Sequence, residues 1–287
     1  MLEKKHSYDI MHKKCTNNTK MEEMYLKGRR VKKREKNLKM KKKAILNIFI
    51  IFFLGMFIYS GFNILTYFID SYKNKKATQE LTSFIDTNNG EKQAEGDVDE
   101  NNSITIDFPR LKEKNSDVVA FIKVNGVSIE QIVVKGTDNS YYLNHGFNKE
   151  RNAAGWIFAD YRNKFDGTDK NIIIYGHNMR NGTMFANLKN VLNNEWKDNQ
   201  ENRYISFVTE QECSTYEVFS VYQIKDESYY LTTEFREGEF GEFIKTLKSR
   251  SKYNFSVDVS ESDQIITLST CANDNRYRVV LHAKRVI

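Results

Sequence analysis

The chain has 287 residues, of which 40% are hydrophobic and 29% are charged, and its formal net charge is +6. This length is sufficient for one large domain with additional segments. Residues 1–43 carry a net charge of +11 and the remainder carries −5, so the folded part is not basic and nucleic-acid binding is not indicated. The two cysteines beyond residue 70, Cys213 and Cys271, are too few for a disulfide framework, although they could form one pair.

The first recognisable element is an apolar run over residues 44–69, which contains no charged side chain. About 20 such residues suffice to cross a bilayer as a helix, so the run predicts a transmembrane helix. It is too long and too far from the N-terminus for a signal peptide, which leaves a buried helix of a soluble protein as the alternative. Basic residues at 39–43 precede it, so we expect 1–43 to be a cytoplasmic tail near anionic headgroups. A single-pass protein of the cell membrane with an extracellular C-terminal part is predicted.

Residues 70–103 are polar, and we interpret them as an extracellular stalk made of a short helix and a flexible acidic linker. A folded domain is expected over 104–287. It begins with a short helix in which Asp107 is the cap and Pro109 lies in the first turn.

Most of the folded domain consists of short β segments, and Asn125-Gly126 predicts a hairpin between the first two. Two helical patterns, at 183–196 and 238–251, interrupt the series. Many short strands with few helices predict a mostly β fold, an eight-stranded closed or nearly closed barrel. The predicted strands are 118–124, 128–135, 155–160, 171–176, 203–209, 214–225, 264–270 and 277–286.

Two residues with reactive side chains, His177 and Cys271, each lie where a predicted strand ends. Catalytic groups are often found at such positions because a rigid scaffold holds them there. Arg276 and Arg278 open the last strand, and a hairpin would bring them beside Cys271. A thiolate can act as a nucleophile, an imidazole can transfer protons, and a guanidinium can stabilise an oxyanion. Together these groups would suit acyl transfer through a thioester.

Spacing alone leaves simpler interpretations open. Cys271 could be a packed or disulfide-bonded cysteine, His177 a structural histidine, and the two arginines surface charges on a strand. No set of His, Cys, Asp and Glu residues has metal-ligand spacing, and we expect no cofactor.

Several motifs together resemble the class B sortases. The segment ITLSTC followed by RYRVVLHAKRV is similar to the sortase cysteine and arginine region, and NIIIYGHNMRNGTMFANL is similar to the sortase histidine segment. The stretch from Asp107 to Phe147 and the helix GEFGEFIKTLKSRSKY also resemble class B members. Papain-like enzymes are excluded by order, because their cysteine precedes the histidine.

The resemblance implies a sortase-type barrel and a membrane-anchored cysteine transpeptidase of Gram-positive bacteria. Such an enzyme cleaves a C-terminal sorting signal after its threonine and transfers the protein to an amino group of a cell-wall precursor. An NPxTN-like or NPxTG-like signal is implied. The alternatives are a pilus-assembly sortase that uses a pilin lysine, a hydrolase in which water resolves the thioester, and an inactive membrane-tethered peptide-binding module.

The resemblance also assigns roles to individual residues. Cys271 matches the nucleophile, His177 the general acid and base, and Arg278 the catalytic arginine, with Arg276 as its competitor on the same strand face. Ala272 departs from the acidic residue that class B relatives often carry after the cysteine. The positions that match substrate contacts are Asn139, Leu143, Ser269, Tyr230 and Leu231.

Overall fold

The structure is a computed structural model that describes residues 2–87, 104–225, 227–272 and 277–287. Within these ranges, the side chains of 2–20, 22–23, 87 and 271–272 are not described. The chain forms two compact units, Met1–Leu65 and Thr66–Ile287. The first unit contains most of α1, a helix that covers Leu2–Thr82.

The apolar side chains of the first unit are exposed. Phe57 and Tyr59, for example, keep more than two thirds of their surface accessible, and the apolar window of the helix is not buried in the protein. In the part of the chain that the structure describes, Met24–Thr82 is the one helix long and apolar enough to cross a membrane. Exposing so many apolar side chains to water is unfavourable. Removing one large apolar side chain from water lowers the free energy by about 1.5–3 kcal/mol.

The second unit begins at Thr66, before residue 104, where the sequence predicts the folded domain to start. Asn74 on α1 is buried, donates to the carbonyl of Gly155 at 3.0 Å and accepts from Asn152 at 2.8 Å. Leu81 and Phe84 belong to the hydrophobic core. Residues 66–82 are therefore packed as part of this unit, and the predicted linker over 88–103 lies outside the described residues.

A two-stranded ladder joins β1 (Ile85–Thr87) to β2 (Ile104–Ile106). The short helix α2 (Phe108–Lys114) follows, and the Asp107 side chain accepts from the Arg110 amide, as expected for its cap. Phe108 and Leu111 are buried, so α2 contributes its apolar face to the core.

Eight strands close into a barrel, which confirms the predicted fold class. Around the barrel the order is β10, β8, β7, β3, β4, β5, β6, β9, and the β4–β5 and β6–β9 pairs are parallel. The strands are β3 (Val118–Val124), β4 (Ile129–Val134), β5 (Phe158–Ala159), β6 (Asn171–Gly176), β7 (Tyr204–Thr209), β8 (Cys213–Lys225), β9 (Ile265–Ala272) and β10 (Tyr277–Arg285).

The observed β5 is much shorter than the predicted strand over 155–160. Gly155 has a positive φ of 58°, and a Cβ there would come within 2.4 Å of the Tyr142 carbonyl oxygen. The Trp156 amide donates to that same carbonyl at 2.9 Å, so this segment is held by a loop and not by a strand. The ladder begins only at Phe158.

Several short helices connect the strands along the chain. The predicted helix over 183–196 is two pieces, a 3₁₀ helix (Ala186–Leu192) and α3 (Asn194–Asp198), because Asn193 has an extended backbone. The other predicted helix is α4 (Glu239–Arg250). Three further 3₁₀ turns cover Tyr141–Leu143, Gln200–Arg203 and Tyr229–Leu231.

Two apolar clusters follow from the alternation of side chains along each strand. In β9, Ile266 and Leu268 belong to the large cluster, which fills the barrel. Ile265, one position away, belongs to a second cluster that also contains Phe240 and Leu247 of α4. α4 therefore covers part of the outer face of β8, β9 and β10, and the two faces of β9 have different neighbours.

Candidate active site

The strands that carry Cys271 and Arg278 are antiparallel neighbours. In the register of β9 and β10, Cys271 is directly opposite Arg278. Positions directly opposite each other belong to the same face of a sheet, with Cα atoms about 5 Å apart. The fold thus brings these two predicted positions together. Arg276 lies outside the described residues, and the preference for Arg278 stays a prediction.

His177 directly follows β6, which runs parallel to β9. Gly176, the last residue of β6, pairs with Thr270, so the next positions along the two strands are His177 and Cys271. The carboxyl ends of parallel neighbours lie at the same edge of a sheet. The three predicted catalytic positions therefore meet at one edge of the barrel.

The His177 ring is oriented by a backbone carbonyl. Its Nε2 atom lies 2.8 Å from the carbonyl oxygen of Leu143. Because a carbonyl oxygen can only accept, Nε2 carries a hydrogen in this arrangement, and in the neutral ring Nδ1 carries the lone pair. The loop containing Leu143 thus fixes the tautomer of His177.

Gly176 has no side chain, which leaves room for the Phe185 ring to pack against the end of β6. A Cβ at this position would lie 2.7 Å from the Phe185 ring, too close for any other residue without movement of the ring. The Phe185 amide donates to the His177 carbonyl at 3.0 Å. Phe185 therefore holds the backbone of His177, and glycine makes that contact possible.

A cavity of about 760 Å³ opens at this edge of the barrel, and we call it the site cavity. Every residue predicted to contact substrate lines it, together with two predicted catalytic residues. Its lining consists of Asn139, Leu143, Phe158, Tyr175, Gly176, His177, Glu227, Ser228, Tyr230, Leu231, Ser269, Thr270 and Arg278.

The lining residues differ in depth. Tyr230 and Ser269 are buried, and the Tyr230 hydroxyl lies 2.9 Å from Ser269 Oγ. Leu143 is 41% exposed and belongs to the rim. The hydroxyl pair therefore forms part of the floor of the cavity, while Leu143 is accessible to a ligand from solvent.

A buried carboxylate that the sequence did not predict, that of Asp160, binds residues of the cavity wall on the side away from the cavity. Asp160 is fully buried and accepts hydrogen bonds from Arg162, Tyr175 and Asn139. Burial opposes ionisation of Asp160, but these hydrogen bonds outweigh it and hold its pKa below the usual value for an aspartate. Burial and the neighbouring Asp160 carboxylate raise the pKa of Tyr175.

One signal for the missed Tyr175 was present in the sequence. Tyr175 lies two residues before His177, and side chains two apart along a strand share a face. Asp160 and Arg162 offered no comparable signal. They bind each other two residues apart, but their other side-chain and carbonyl partners come from separate segments of the chain.

The third histidine of this unit, His282, is also fully buried, in the middle of β10. Its ring nitrogens lie 2.9 Å from the Tyr222 hydroxyl and 2.8 Å from the Thr267 hydroxyl. Burial lowers the pKa of His282 to about 3, so the ring is neutral at ordinary pH. His282 is not among the residues that line the site cavity.

Cys213 is the first residue of β8 and is an exposed, free cysteine. The alternative that the sequence left open, a disulfide between Cys213 and Cys271, is therefore not supported. Its exposure follows from the place of Cys213 at the end of the strand.

The residue types at this edge are suited to acyl transfer through a thioester. A cysteine supplies a nucleophile, a histidine supplies a proton donor and acceptor, and an arginine supplies a fixed positive charge for an oxyanion. Among the described residues, no group of three or more His, Cys, Asp and Glu side chains could hold a metal ion.

The comparisons with known proteins agree with this geometry. The family model for the sortase domain matches residues 122–286. Sortase B of Listeria monocytogenes is 34% identical over 239 residues, which cover 81% of this chain and 93% of that protein.

Solved structures are similar as well. The X-ray structure of Clostridium perfringens sortase B is 38% identical, with a TM-score of 0.59, over 63% of this chain and all of that one. A Staphylococcus aureus sortase B–substrate complex is 32% identical, with a TM-score of 0.59, over 62% of this chain and 84% of that one. The chain therefore belongs to the sortase family, in class B, and is a cysteine transpeptidase of the sortase type.

Proposed function

We propose that this chain is a membrane-anchored enzyme that cleaves a C-terminal sorting signal after its threonine and transfers the protein to an amino group of a cell-wall precursor. Family membership implies protein substrates that carry a sorting signal. The observation that carries the proposal is the β9–β10 register, in which Cys271 is opposite Arg278, a residue that lines the site cavity.

In the first half of the proposed reaction, the Cys271 thiolate attacks the carbonyl carbon of the threonine. The carbonyl electrons move to oxygen, and Arg278 stabilises the resulting oxyanion. When the intermediate collapses, the C–N bond breaks and His177, as an imidazolium, protonates the leaving amine. The products are a thioester on Cys271 and the released C-terminal peptide.

The second half repeats these steps with a new amine. His177, now neutral, removes a proton as the amine attacks the thioester carbon. A second oxyanion forms beside Arg278 and collapses, which expels the Cys271 thiolate and forms a new amide bond. The reaction exchanges one amide for another, and no oxidant or metal is required to balance it.

The sorting signal would bind in the site cavity. Asn139 supplies an amide near the rim, Leu143 and Leu231 supply apolar contact, and the hydroxyls of Ser269 and Tyr230 lie at the floor. A cavity of about 760 Å³ is within the usual range for sites that bind small ligands or short peptide segments. We propose an NPxTN-like or NPxTG-like signal.

Attachment to the membrane is supported by α1. Its apolar window lies within Met24–Thr82, and a basic tail precedes it. We propose one transmembrane segment over residues 44–69, with the tail in the cytoplasm and the site outside. Such a topology would put the enzyme on the side of the membrane where cell-wall precursors are joined.

The test is mass spectrometry of the full chain in mild detergent after incubation with NPxTN, NPxTG and LPxTG peptides. We expect a covalent adduct on Cys271 whose mass equals the peptide up to its threonine. Addition of triglycine as an amine should discharge the adduct and yield a ligated peptide.

Two variants provide matched controls. Cys271→Ala should form no adduct, whereas Cys213→Ala, which removes the other cysteine of the folded unit, should form it normally. Absence of an adduct with every peptide, although Cys271 reacts with iodoacetamide, would contradict the proposal and favour a peptide-binding module. An adduct that only water discharges would indicate a hydrolase.

A further inference from the structure

The carboxylate of Asp160 connects segments that are far apart along the chain. Its Oδ2 atom accepts from Asn139 Nδ2 at 2.9 Å and from the Tyr175 hydroxyl at 2.8 Å. The Arg162 guanidinium binds both carboxylate oxygens, each at 2.8 Å. Because Asp160 is fully buried, this set of partners is what keeps a negative charge stable there.

Arg162 extends the connection to a third segment. The same NH2 group that binds Asp160 also donates to the carbonyl oxygen of Leu231 at 2.9 Å. Leu231 ends the 3₁₀ turn Tyr229–Leu231, which forms one wall of the site cavity. Asn139 belongs to the opposite loop, next to the 3₁₀ turn Tyr141–Leu143.

Asp160 and Arg162 do not line the cavity themselves. Their partners Asn139, Tyr175 and Leu231 all do. The ion pair therefore lies behind the cavity and joins parts of its wall that no strand pairing connects directly.

The orientation of Asn139 is fixed by these contacts. Its Nδ2 donates to Asp160, and its Oδ1 accepts from the Tyr161 amide at 3.0 Å. An asparagine amide has two N–H groups and an oxygen with two lone pairs. One N–H and one lone pair remain beyond these two bonds, and their directions are determined by the Asp160 contact.

We infer that Asp160 and Arg162 are positioning residues which set the spacing and orientation of the Asn139 and Leu231 walls, and thereby determine how tightly a sorting peptide binds. The inference rests on the proposed function, since it concerns the same cavity. It assigns the pair no contact with the peptide and no part in the chemistry at Cys271.

The physical reason is the geometry of the ion pair. A guanidinium offers five N–H donors in a rigid plane, so one Arg162 can hold the carboxylate and the Leu231 carbonyl together. An amide in place of the Asp160 carboxylate would turn one acceptor into a donor. At least one of the three side-chain donors, Asn139, Arg162 and Tyr175, would then lose its hydrogen bond to residue 160. The cavity wall to which that donor belongs or connects would no longer be held in position.

The experiment measures kcat and KM for peptide transfer to triglycine by the full chain in detergent. For Asp160→Asn we expect KM to rise about tenfold or more, which corresponds to the loss of one or two hydrogen bonds. We expect kcat to change less than about threefold. Alkylation of Cys271 by iodoacetamide, followed by peptide mapping, should keep its wild-type rate because it requires no peptide.

Asp169→Asn is the matched control. Asp169 is a buried carboxylate nine residues further on, and it accepts from the amides of Lys164 and Phe165 and from Asn163. It is not among the residues that line the cavity. We expect Asp169→Asn to lower the unfolding temperature without raising KM.

Arg162→Lys tests the inference should Asp160→Asn fail to fold. Its side chain is 38% exposed, so the variant is expected to fold, and a lysine keeps the charge but not the planar fork. KM should rise about threefold to tenfold. The inference is overturned if Arg162→Lys keeps the wild-type KM, or if Asp160→Asn raises KM no more than Asp169→Asn. A wild-type chain without activity would instead contradict the proposed function.

Discussion

The outer face of the sheet formed by β6, β9 and β10 has two halves that differ in what covers them. In the open half, Tyr175, Ser269 and Arg278 line the site cavity. In the covered half, Asn171, Thr267 and His282 lie on the same strands and are completely buried. These two polar groups occupy equivalent alternating positions, only a few residues apart.

The covered half satisfies its hydrogen bonds internally. The Thr267 hydroxyl donates to Asn171 Oδ1 at 2.7 Å and therefore accepts from His282 Nδ1. His282 Nε2 then accepts from the Tyr222 hydroxyl, which in turn accepts from the Tyr229 hydroxyl. The direction of every hydrogen bond in this network is thus determined. The neutral His282 ring carries its hydrogen on Nδ1 and its lone pair on Nε2.

The two histidines of this sheet differ in role because their surroundings differ. His177 lies at the end of a strand beside a cavity, while His282 lies in mid-strand within a closed network. We expect substitutions in the open half to reduce activity and those in the covered half to reduce stability.

The largest effect is expected for Arg278→Ala. Loss of a group that stabilises an oxyanion typically lowers kcat by about 10²–10³. We expect kcat/KM for peptide transfer to fall by about that factor, with the free energy of unfolding nearly unchanged. Steady-state kinetics and urea denaturation of the full chain in detergent would measure the two quantities.

Arg276→Ala is the control for that measurement. The β9–β10 register puts Arg278 opposite Cys271, so Arg276→Ala should lower kcat/KM much less. A larger loss for Arg276→Ala than for Arg278→Ala would show that the catalytic arginine has been assigned to the wrong position of the last strand.

Tyr222→Phe tests the covered half. The change leaves the buried His282 Nε2 and the partly buried Tyr229 hydroxyl without their shared partner. We expect the free energy of unfolding to fall by about 1–3 kcal/mol, measured by urea denaturation followed by near-ultraviolet circular dichroism. Iodoacetamide should still alkylate Cys271 at the wild-type rate.

The matched control is Tyr161→Phe, since Tyr161 is 49% exposed. We expect it to change stability by less than about 0.5 kcal/mol. Equal effects of the two substitutions would mean that the network around His282 contributes no more than a surface hydroxyl.

The pH dependence of stability should identify His282 directly. Its pKa is about 3 in the folded chain, against an ordinary value of 6.5, because burial excludes the charged ring. Below pH 6.5 the unfolded chain binds a proton that the folded chain does not, so stability is lost as pH falls. From pH 6.5 to 5 the expected loss is about 1.5 kcal/mol.

His282→Gln provides the comparison, because glutamine does not titrate in this range. Urea denaturation at pH 6.5 and 5 should show a smaller loss for the variant than for the wild type. This interval lies above the range in which most carboxylates titrate, which separates the effect of His282 from theirs. An unchanged slope would contradict a neutral, buried His282.

The sequence predicted those features that depend on local patterns. Alternation gave the strands of the barrel, including the strand ends at His177 and Cys271, and Asp107 with Pro109 gave the start of α2. The packing of residues 66–82 was missed, because the buried Asn74 has polar partners some 80 residues away. Long-range contacts of this kind leave no periodic signal.

The same reason explains the partial prediction of the site. Family motifs identified seven of the residues that line the cavity, because segments such as ITLSTC can be recognised without the fold. Asp160 and Arg162 bind Asn139, Tyr175 and Leu231, which come from three other segments. A network of side chains from separate segments becomes visible only when the chain is folded.

Ser269 is the residue of the open half that is next to the covered half, and its substitution should have the smallest effect. Its hydroxyl pairs with that of Tyr230, and both residues are buried. We expect Ser269→Ala and Tyr230→Phe each to raise KM about threefold to tenfold, because each removes the same hydrogen bond. The double variant should resemble either single variant, since the effects of two partners in one bond are not additive. Multiplying effects would instead mean that each hydroxyl contacts the peptide independently, and the boundary between the open and covered halves would then lie beyond Ser269, closer to Thr267.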